Sequence, residues 1–309
     1  MLGLGFLLAL FSSASLGLTV VTIRRGVLKG SPAVATLITV LLGVPLFLLA
    51  NVVTGQLFRT AEITLQGYLA LFVTGILQMA IGRYSFYRSI QAIGGNQAEL
   101  FQALQVPLSI AIALIFLGES LNMQSTIGVG LVLAGPVLVV LARTPPKPAV
   151  PASTSDVTST TPMAPEVRMQ EGLLFGLIAI VSFSAGDVLA RGVLADTGLG
   201  LLGGLVIYGA AAVTLLAWVA IAGRFHELHE ASPARRWFLL AAFIGFLAQM
   251  SRYVALALAP VYVVVPLMRT VPLFVLVFSF FINRRLEVFS LKIVMGVLVA
   301  VLGLIILAL

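Results

Sequence analysis

The chain has 309 residues, of which 60% are hydrophobic and only 9% charged, with a formal net charge of +7 and no cysteine. A water-soluble surface ordinarily draws on about a quarter charged residues, so this composition is that of a membrane protein. The missing thiols exclude disulfides, thiolate nucleophiles and cysteine metal sites, and the positive balance calls for no nucleic acid, because loops beside anionic lipid are basic in any case.

Ten apolar stretches follow one another, at 2–23, 33–52, 67–92, 96–117, 124–142, 171–193, 198–222, 237–258, 261–282 and 289–308. Each matches a bilayer core of about 30 Å. Backbone groups in lipid need internal partners, so the expected fold is an all-α membrane protein of ten transmembrane helices. The first stretch lacks a basic leader and reads as a retained span. The third carries Gln78, Arg83, Tyr84, Tyr87 and Arg88, and the fourth Glu99, Gln102 and Gln105, whose three-residue spacing makes a polar stripe, followed by Pro107. A proline-, serine- and threonine-rich segment, 143–170, reads as a disordered linker. In the sixth span Asp187 precedes Arg191 by four residues, the favourable order for an intrahelical ion pair; the alternative makes Asp187 a proton site. The charged run His226-Glu227-Leu228-His229-Glu230 is one residue too short for a two-histidine zinc motif, and the glycines form no phosphate loop. No catalytic residue, metal or cofactor is expected, and the chain is not read as an enzyme.

Arg252 and Tyr253 close the eighth span, and Pro266, Arg269, Thr270 and Pro272 lie in the ninth. At 1.5 Å per residue Arg83 lies about 17 Å from the Gly94-Gly95 turn, and Arg252 and Arg269 about 12–13 Å from the Pro260 turn on the other side, so the three depths meet. Ionisable groups at such depth face a cavity, a partner or a pathway. Two readings stand. The guanidiniums bind an anionic substrate through their planar forks, or they are held structurally by Glu99 and Asp187. Glu99 is an acceptor or proton carrier, a partner of Arg88, or part of a glutamine-rich seam that glues helices. Pro107, Pro266 and Pro272 interrupt the fourth and ninth helices as packing kinks or as hinges for gating.

The pattern runs twice. Val106, Pro107, Leu108, Phe116 and Leu121 return as Val271, Pro272, Leu273, Phe281 and Leu286, each displaced by 165 residues, and Gly128 and Gly135 return as Gly296 and Gly303, displaced by 168. Residues 1–142 and 171–309 are thus two units of five spans, and an odd number of spans inverts the second relative to the first. Ala92-Ile93-Gly94-Gly95-Asn96-Gln97-Ala98, Val106-Pro107-Leu108 and Phe116-Leu117-Gly118-Glu119 resemble the third-to-fourth helix signature of the drug/metabolite transporter superfamily, EamA type. Ala259-Pro260, Pro266, Val271-Pro272-Leu273 and Phe281 through Glu287 carry the resemblance into the second half. It implies a ten-helix bundle moving small metabolites by alternating access, with a cavity lined by the first, third, fourth, sixth, eighth and ninth spans.

The expected function is secondary active transport of small polar metabolites, organic anions and amino acids among them, by export or proton-coupled exchange. The alternatives are an anionic-lipid flippase and a non-transporting subunit that binds a partner helix. The candidate substrate-binding residues are Arg83, Tyr84, Tyr87, Glu99, Gln102, Gln105, Arg252, Tyr253, Arg269 and Thr270. Glu99 and Asp187 are the candidates for proton coupling. The partners are a small-molecule substrate and the lipid bilayer of a bacterial inner membrane, with the chain as monomer or homodimer.

Orientation follows from Lys and Arg. Loops after odd-numbered spans hold Arg24, Arg25, Lys29, Arg88, Arg143, Lys147, Arg168, Arg224, Arg235, Arg236, Arg284, Arg285 and Lys292, whereas the opposite loops hold little beyond Arg59 and Arg191. The basic side faces the cytoplasm, which puts both termini outside. A reporter active only in the cytosol, fused after Leu309, is therefore expected to stay dark; a strong signal reverses the assignment.

Overall fold

The computed structural model describes residues 2–93, 98, 101–117, 123–141, 168–222, 234–268 and 270–282, together with 299, 302, 303 and 306. Glu99, Arg269, the linker up to residue 167 and nearly all of the tenth expected stretch lie outside these. Among the described residues all regular structure is helical. The helices are α1 (Leu2–Val27), α2 (Pro32–Thr54), α3 (Leu65–Ile93), α4 (Gln105–Phe116), α5 (Met123–Leu141), α6 (Met169–Thr197), α7 (Gly200–Ala222), α8 (Arg235–Leu258), α9 (Val261–Met268) and α10 (Val271–Ile282). Six of them, α1, α2, α3, α6, α7 and α8, are long and apolar enough to cross a membrane.

Local chemistry sets the ends. Ser31 accepts a hydrogen bond from the Ala33 amide at 3.2 Å, with Pro32 in the first turn of α2, and Gly55 closes that helix at φ 73°. Thr64 caps α3 through the Gly67 amide at 3.1 Å. Between α2 and α3, Arg59 donates to both carboxylate oxygens of Glu62 at 2.6 and 2.7 Å. These hydrogen bonds raise the pKa of the guanidinium and lower that of the carboxyl, so the arginine on the sparsely charged side is locally neutralised.

The packing is inverted with respect to a soluble protein. Leu7, Val53, Phe116 and Ile221 point outward, Ile221 89% exposed, while Ser12, Ser13, Thr36, Asn51, Gln78 and Asp187 are buried. A bundle surrounded by lipid gains nothing by hiding leucine and much by hiding polar atoms with partners. α1 packs along α8 and against α9 and α10, α6 against α3 and α4, and α2 against α7. The first helix of each half is tied to the other half: the Ser13 and Thr270 hydroxyls share a 2.8 Å hydrogen bond, and Ser184 donates to the Gln105 carbonyl at 3.4 Å.

α3 is not uniform. Its middle, Gly75–Gly82, is π-helical between two α-helical segments. Close contact fixes it in place: a methyl group at Gly75 would sit 2.3 Å from the Ile207 carbonyl of α7, and one at Gly186 of α6 would sit 2.2 Å from Cγ of Gln78. Replacing Gly186 by Ala is therefore expected to push Gln78 off α6 and lower stability by about 1–3 kcal/mol, the usual cost of overpacking. Thermal unfolding of the detergent-solubilised variant measures this, and an unchanged midpoint would mean that the two helices separate freely.

Candidate functional site

Asp187 of α6 is 1% exposed inside the bundle. A carboxylate there is costly unless every oxygen is compensated. Oδ1 accepts from Nε2 of Gln78 at 2.9 Å and pairs with Nη2 of Arg252, and Oδ2 accepts from Nε2 of Gln105 at 2.7 Å. One acid thus gathers α3, α4 and α8 around α6. The Tyr253 hydroxyl donates to Oε1 of Gln78 at 3.1 Å and fixes which end of that amide meets Asp187, while Gln249 accepts from Nη1 of Arg252 at 3.3 Å.

A second buried cation lies beside this group. Arg83 directs Nη2 to the Tyr208 hydroxyl of α7 at 2.7 Å, and its guanidinium carbon lies 5.2 Å from the centre of the same ring. Phe47 of α2 supports the tyrosine, with ring centres 4.9 Å apart. Between the two arginines is a cavity of about 80 Å³. Its polar lining comprises Thr19, Thr39, Arg83, Tyr87, Gln102, Gln105, Gln249 and Arg252, and its apolar lining includes Leu16, Phe86, Phe183 and Val271. Apolar walls with a few converging polar groups are the usual make-up of a small-molecule site. A wider recess of about 660 Å³, where α3 begins and α4 and α6 end near Glu62 and Asp196, has no buried charge in its lining.

Of the residues expected from sequence, Arg83, Tyr87, Gln102, Gln105 and Arg252 line the cavity. Tyr253 is fully buried behind it on Gln78, and Thr270 is tied to Ser13 and to the Leu267 carbonyl. Tyr84 turns away, toward Phe175 and a separate recess with Thr36 and Trp218. Glu99 and Arg269 are outside the described residues. Asp187 takes Arg252 from another helix, whereas Arg191 donates to the Leu256 and Ala257 carbonyls at 2.7 and 3.4 Å, where α8 ends. Arg88 meets Glu171, at 2.6 Å, in the first turn of α6, where an acid also suits the helix dipole. Pro107 and Pro272 fall in the first turns of α4 and α10, where a missing N–H breaks no helical bond; of these three candidates Pro266 alone sits well inside its helix, as Pro45 does in α2.

Sequence reading passed over Tyr208, Thr19, Thr39 and Gln249. A signal existed for the last: Gln249-Met250 precedes Arg252-Tyr253 as Gln78-Met79 precedes Arg83-Tyr84. Tyr208 is a lone tyrosine in an apolar span, and such a residue usually means a buried hydroxyl with a partner.

The membrane helices, their internal duplication and the charged cavity between them define a polytopic membrane protein of the transporter class. The EamA-like transporter family pattern matches residues 3–141 and again 170–309, so the chain belongs to that family and is of the drug/metabolite transporter type. A solved structure, described only as the crystal structure of a protein, is similar at 16% identity with a TM-score of 0.66, over 99% of this chain and 95% of that one; this likeness concerns the fold. No curated protein matches the chain.

The ion pair yields a direct expectation. Arg252→Gln leaves a buried carboxylate short of its cation and should cost about 3–5 kcal/mol. Adding Asp187→Asn removes the stranded charge and should restore most of that loss. Ligand-free unfolding midpoints of the two variants measure both effects, and equal destabilisation in single and double variants would show that Arg252 is held by other contacts.

Proposed function

We propose that this protein is a secondary active transporter that moves small polar metabolites across the bacterial inner membrane by alternating access, through export or proton-coupled exchange. The observation that carries this reading is the buried cavity between Arg83 and Arg252 in a bundle whose outer surface is apolar. Two units of five helices, 1–142 and 171–309, inverted about the membrane plane and joined by the linker 143–170, supply the two halves that rock about it. Support comes from the doubled family match and from the reciprocal ties, Ser13 to Thr270 and Ser184 to Gln105.

In this reading Arg83, Tyr87, Gln102, Gln105 and Arg252 contact the substrate, Tyr253 and Thr270 steady the wall, and Glu99 and Arg269 complete the path. Asp187 is the proton site: protonation removes the charge that holds Arg252 and loosens four helices at once. The break between α9 and α10, with Pro266 beside it, is the hinge. The termini lie outside, consistent with the crowding of Lys and Arg on one side and the pairing of Arg59 with Glu62 on the other.

Proteoliposomes test the proposal. Vesicles holding purified protein and preloaded with one compound from a panel of amino acids, organic acids and sugars should exchange it for labelled external compound, and Asp187→Asn should abolish acceleration by a proton gradient while leaving exchange in place. Movement of labelled lipid in place of any solute would favour the flippase, and no movement of either would leave a structural subunit.

A further inference from the structure

We infer that Arg83 is the anchor for the carboxylate of a small monoanionic substrate. The inference rests on the transport reading and narrows its substrate class.

It begins with a comparison of the two halves. Gly75-Ile76-Leu77-Gln78-Met79 leads to Arg83-Tyr84, and Gly245-Phe246-Leu247-Ala248-Gln249-Met250 leads to Arg252-Tyr253. From the glycine to the arginine the first half has one residue more. A single extra residue is what a π turn absorbs, and the π-helical stretch Gly75–Gly82 lies at that place. The π turn takes up the roughly 100° that the extra residue would add, so Arg83 keeps about the helical phase of Arg252. Two arginines that correspond in sequence therefore differ in what faces them.

Arg252 meets Asp187. The corresponding position of α1 carries no acid: Ser13-Ala14-Ser15-Leu16 aligns with Ser184-Ala185-Gly186-Asp187 of α6, and Leu16 lines the cavity beside Arg83. Among the described residues no carboxylate comes within ion-pair distance of Arg83; its hydrogen-bond partner is the neutral Tyr208 hydroxyl. A guanidinium has five N–H donors, and burying one at 7% exposure with only neutral partners is unfavourable. The missing acid at the position of Leu16 is the departure from symmetry that leaves Arg83 without a carboxylate among the described residues.

Charge and size define what fits. With Arg252 neutralised by Asp187, the described lining carries one net positive charge, which one carboxylate balances; a phosphate with about two negative charges would leave an excess in the bundle. A planar carboxylate matches the guanidinium fork. The hydroxyls of Thr19, Thr39 and Tyr87 can meet polar substituents, while Leu16, Phe86, Phe183 and Val271 suit a short aliphatic or aromatic body. About 80 Å³ is several times the roughly 10–15 Å³ that one water requires.

The test uses the purified full chain and matched probes: propionate, lactate and benzoate, each beside its own amide, and inorganic phosphate. Binding is read from ligand-induced shifts of the unfolding midpoint. At least one carboxylate should stabilise the wild type where its amide does not. Arg83→Gln should weaken that carboxylate about tenfold or more, equivalent to about 1.4 kcal/mol, with a ligand-free midpoint close to wild type. Arg83→Lys should fold normally and also bind poorly, because it keeps the charge and loses the fork. The inference is overturned if amides and acids act alike, if phosphate binds more tightly than every carboxylate, if no carboxylate binds, or if Arg83→Gln retains wild-type affinity. Should Arg83→Gln fail to fold, Arg83→Lys decides, and wild-type affinity there assigns the arginine a structural role. Proteoliposome exchange of neutral or cationic solutes, without carboxylate binding, would sink this inference and leave the transport reading standing; carboxylate binding without exchange would do the reverse.

Discussion

A carboxylate buried at the centre of a membrane bundle dictates much of the arrangement around it. Asp187 needs a cation and neutral donors at fixed positions, and it draws them from three helices that are distant in sequence: Gln78, Gln105 and Arg252. Leucine contacts do not select one helix register over another in lipid, because the alternative environment is equally apolar. Directional bonds to a charge do select. The positions of α3, α4 and α8 relative to α6 are therefore set by a few polar atoms, while the surrounding apolar side chains fill whatever space that arrangement leaves.

The glycines serve the same end. Gly186 is one residue from the acid, and its missing side chain is the room in which Gln78 lies; Gly75 brings α3 against the backbone of α7. Tyr208 then stands close enough to receive Arg83, braced from behind by Phe47. Small residues permit the approach, polar residues fix its direction, and the cavity is what remains between two cations that cannot close on each other.

Most of the helical architecture was legible in the sequence, because an apolar run of bilayer length has few other uses. Most described helices follow the expected stretches to within a few residues, extended where Ser31 and Thr64 supply caps, while α4 begins only at Gln105 and the ninth stretch holds two helices, α9 and α10. Several cavity residues were legible for a related reason: polar atoms are too costly in lipid to be placed without purpose, so Arg83, Gln105 and Arg252 were conspicuous. Pairing was not legible. Spacing along one helix suggested Asp187 with Arg191, whereas the acid meets Arg252 across helices, and Arg88 meets Glu171 through a contact that only tertiary packing creates. Helical phase was hidden as well. Tyr84 was a candidate for its polarity and its place in the third span, and the structure turns it toward Phe175.

The unequal treatment of the two arginines has an electrical consequence. The described lining of the cavity carries one net positive charge, and carrying an elementary charge across the full field of an energised membrane is worth about 2.3 kcal/mol per 100 mV. With a monoanion seated, the described groups sum to zero and the field has little hold on them; when the cavity is vacant, it pulls on the charge that remains. In the proposed transport cycle, the membrane voltage would act mainly on the return of the unloaded protein, and turnover would respond to voltage while the affinity for cargo did not.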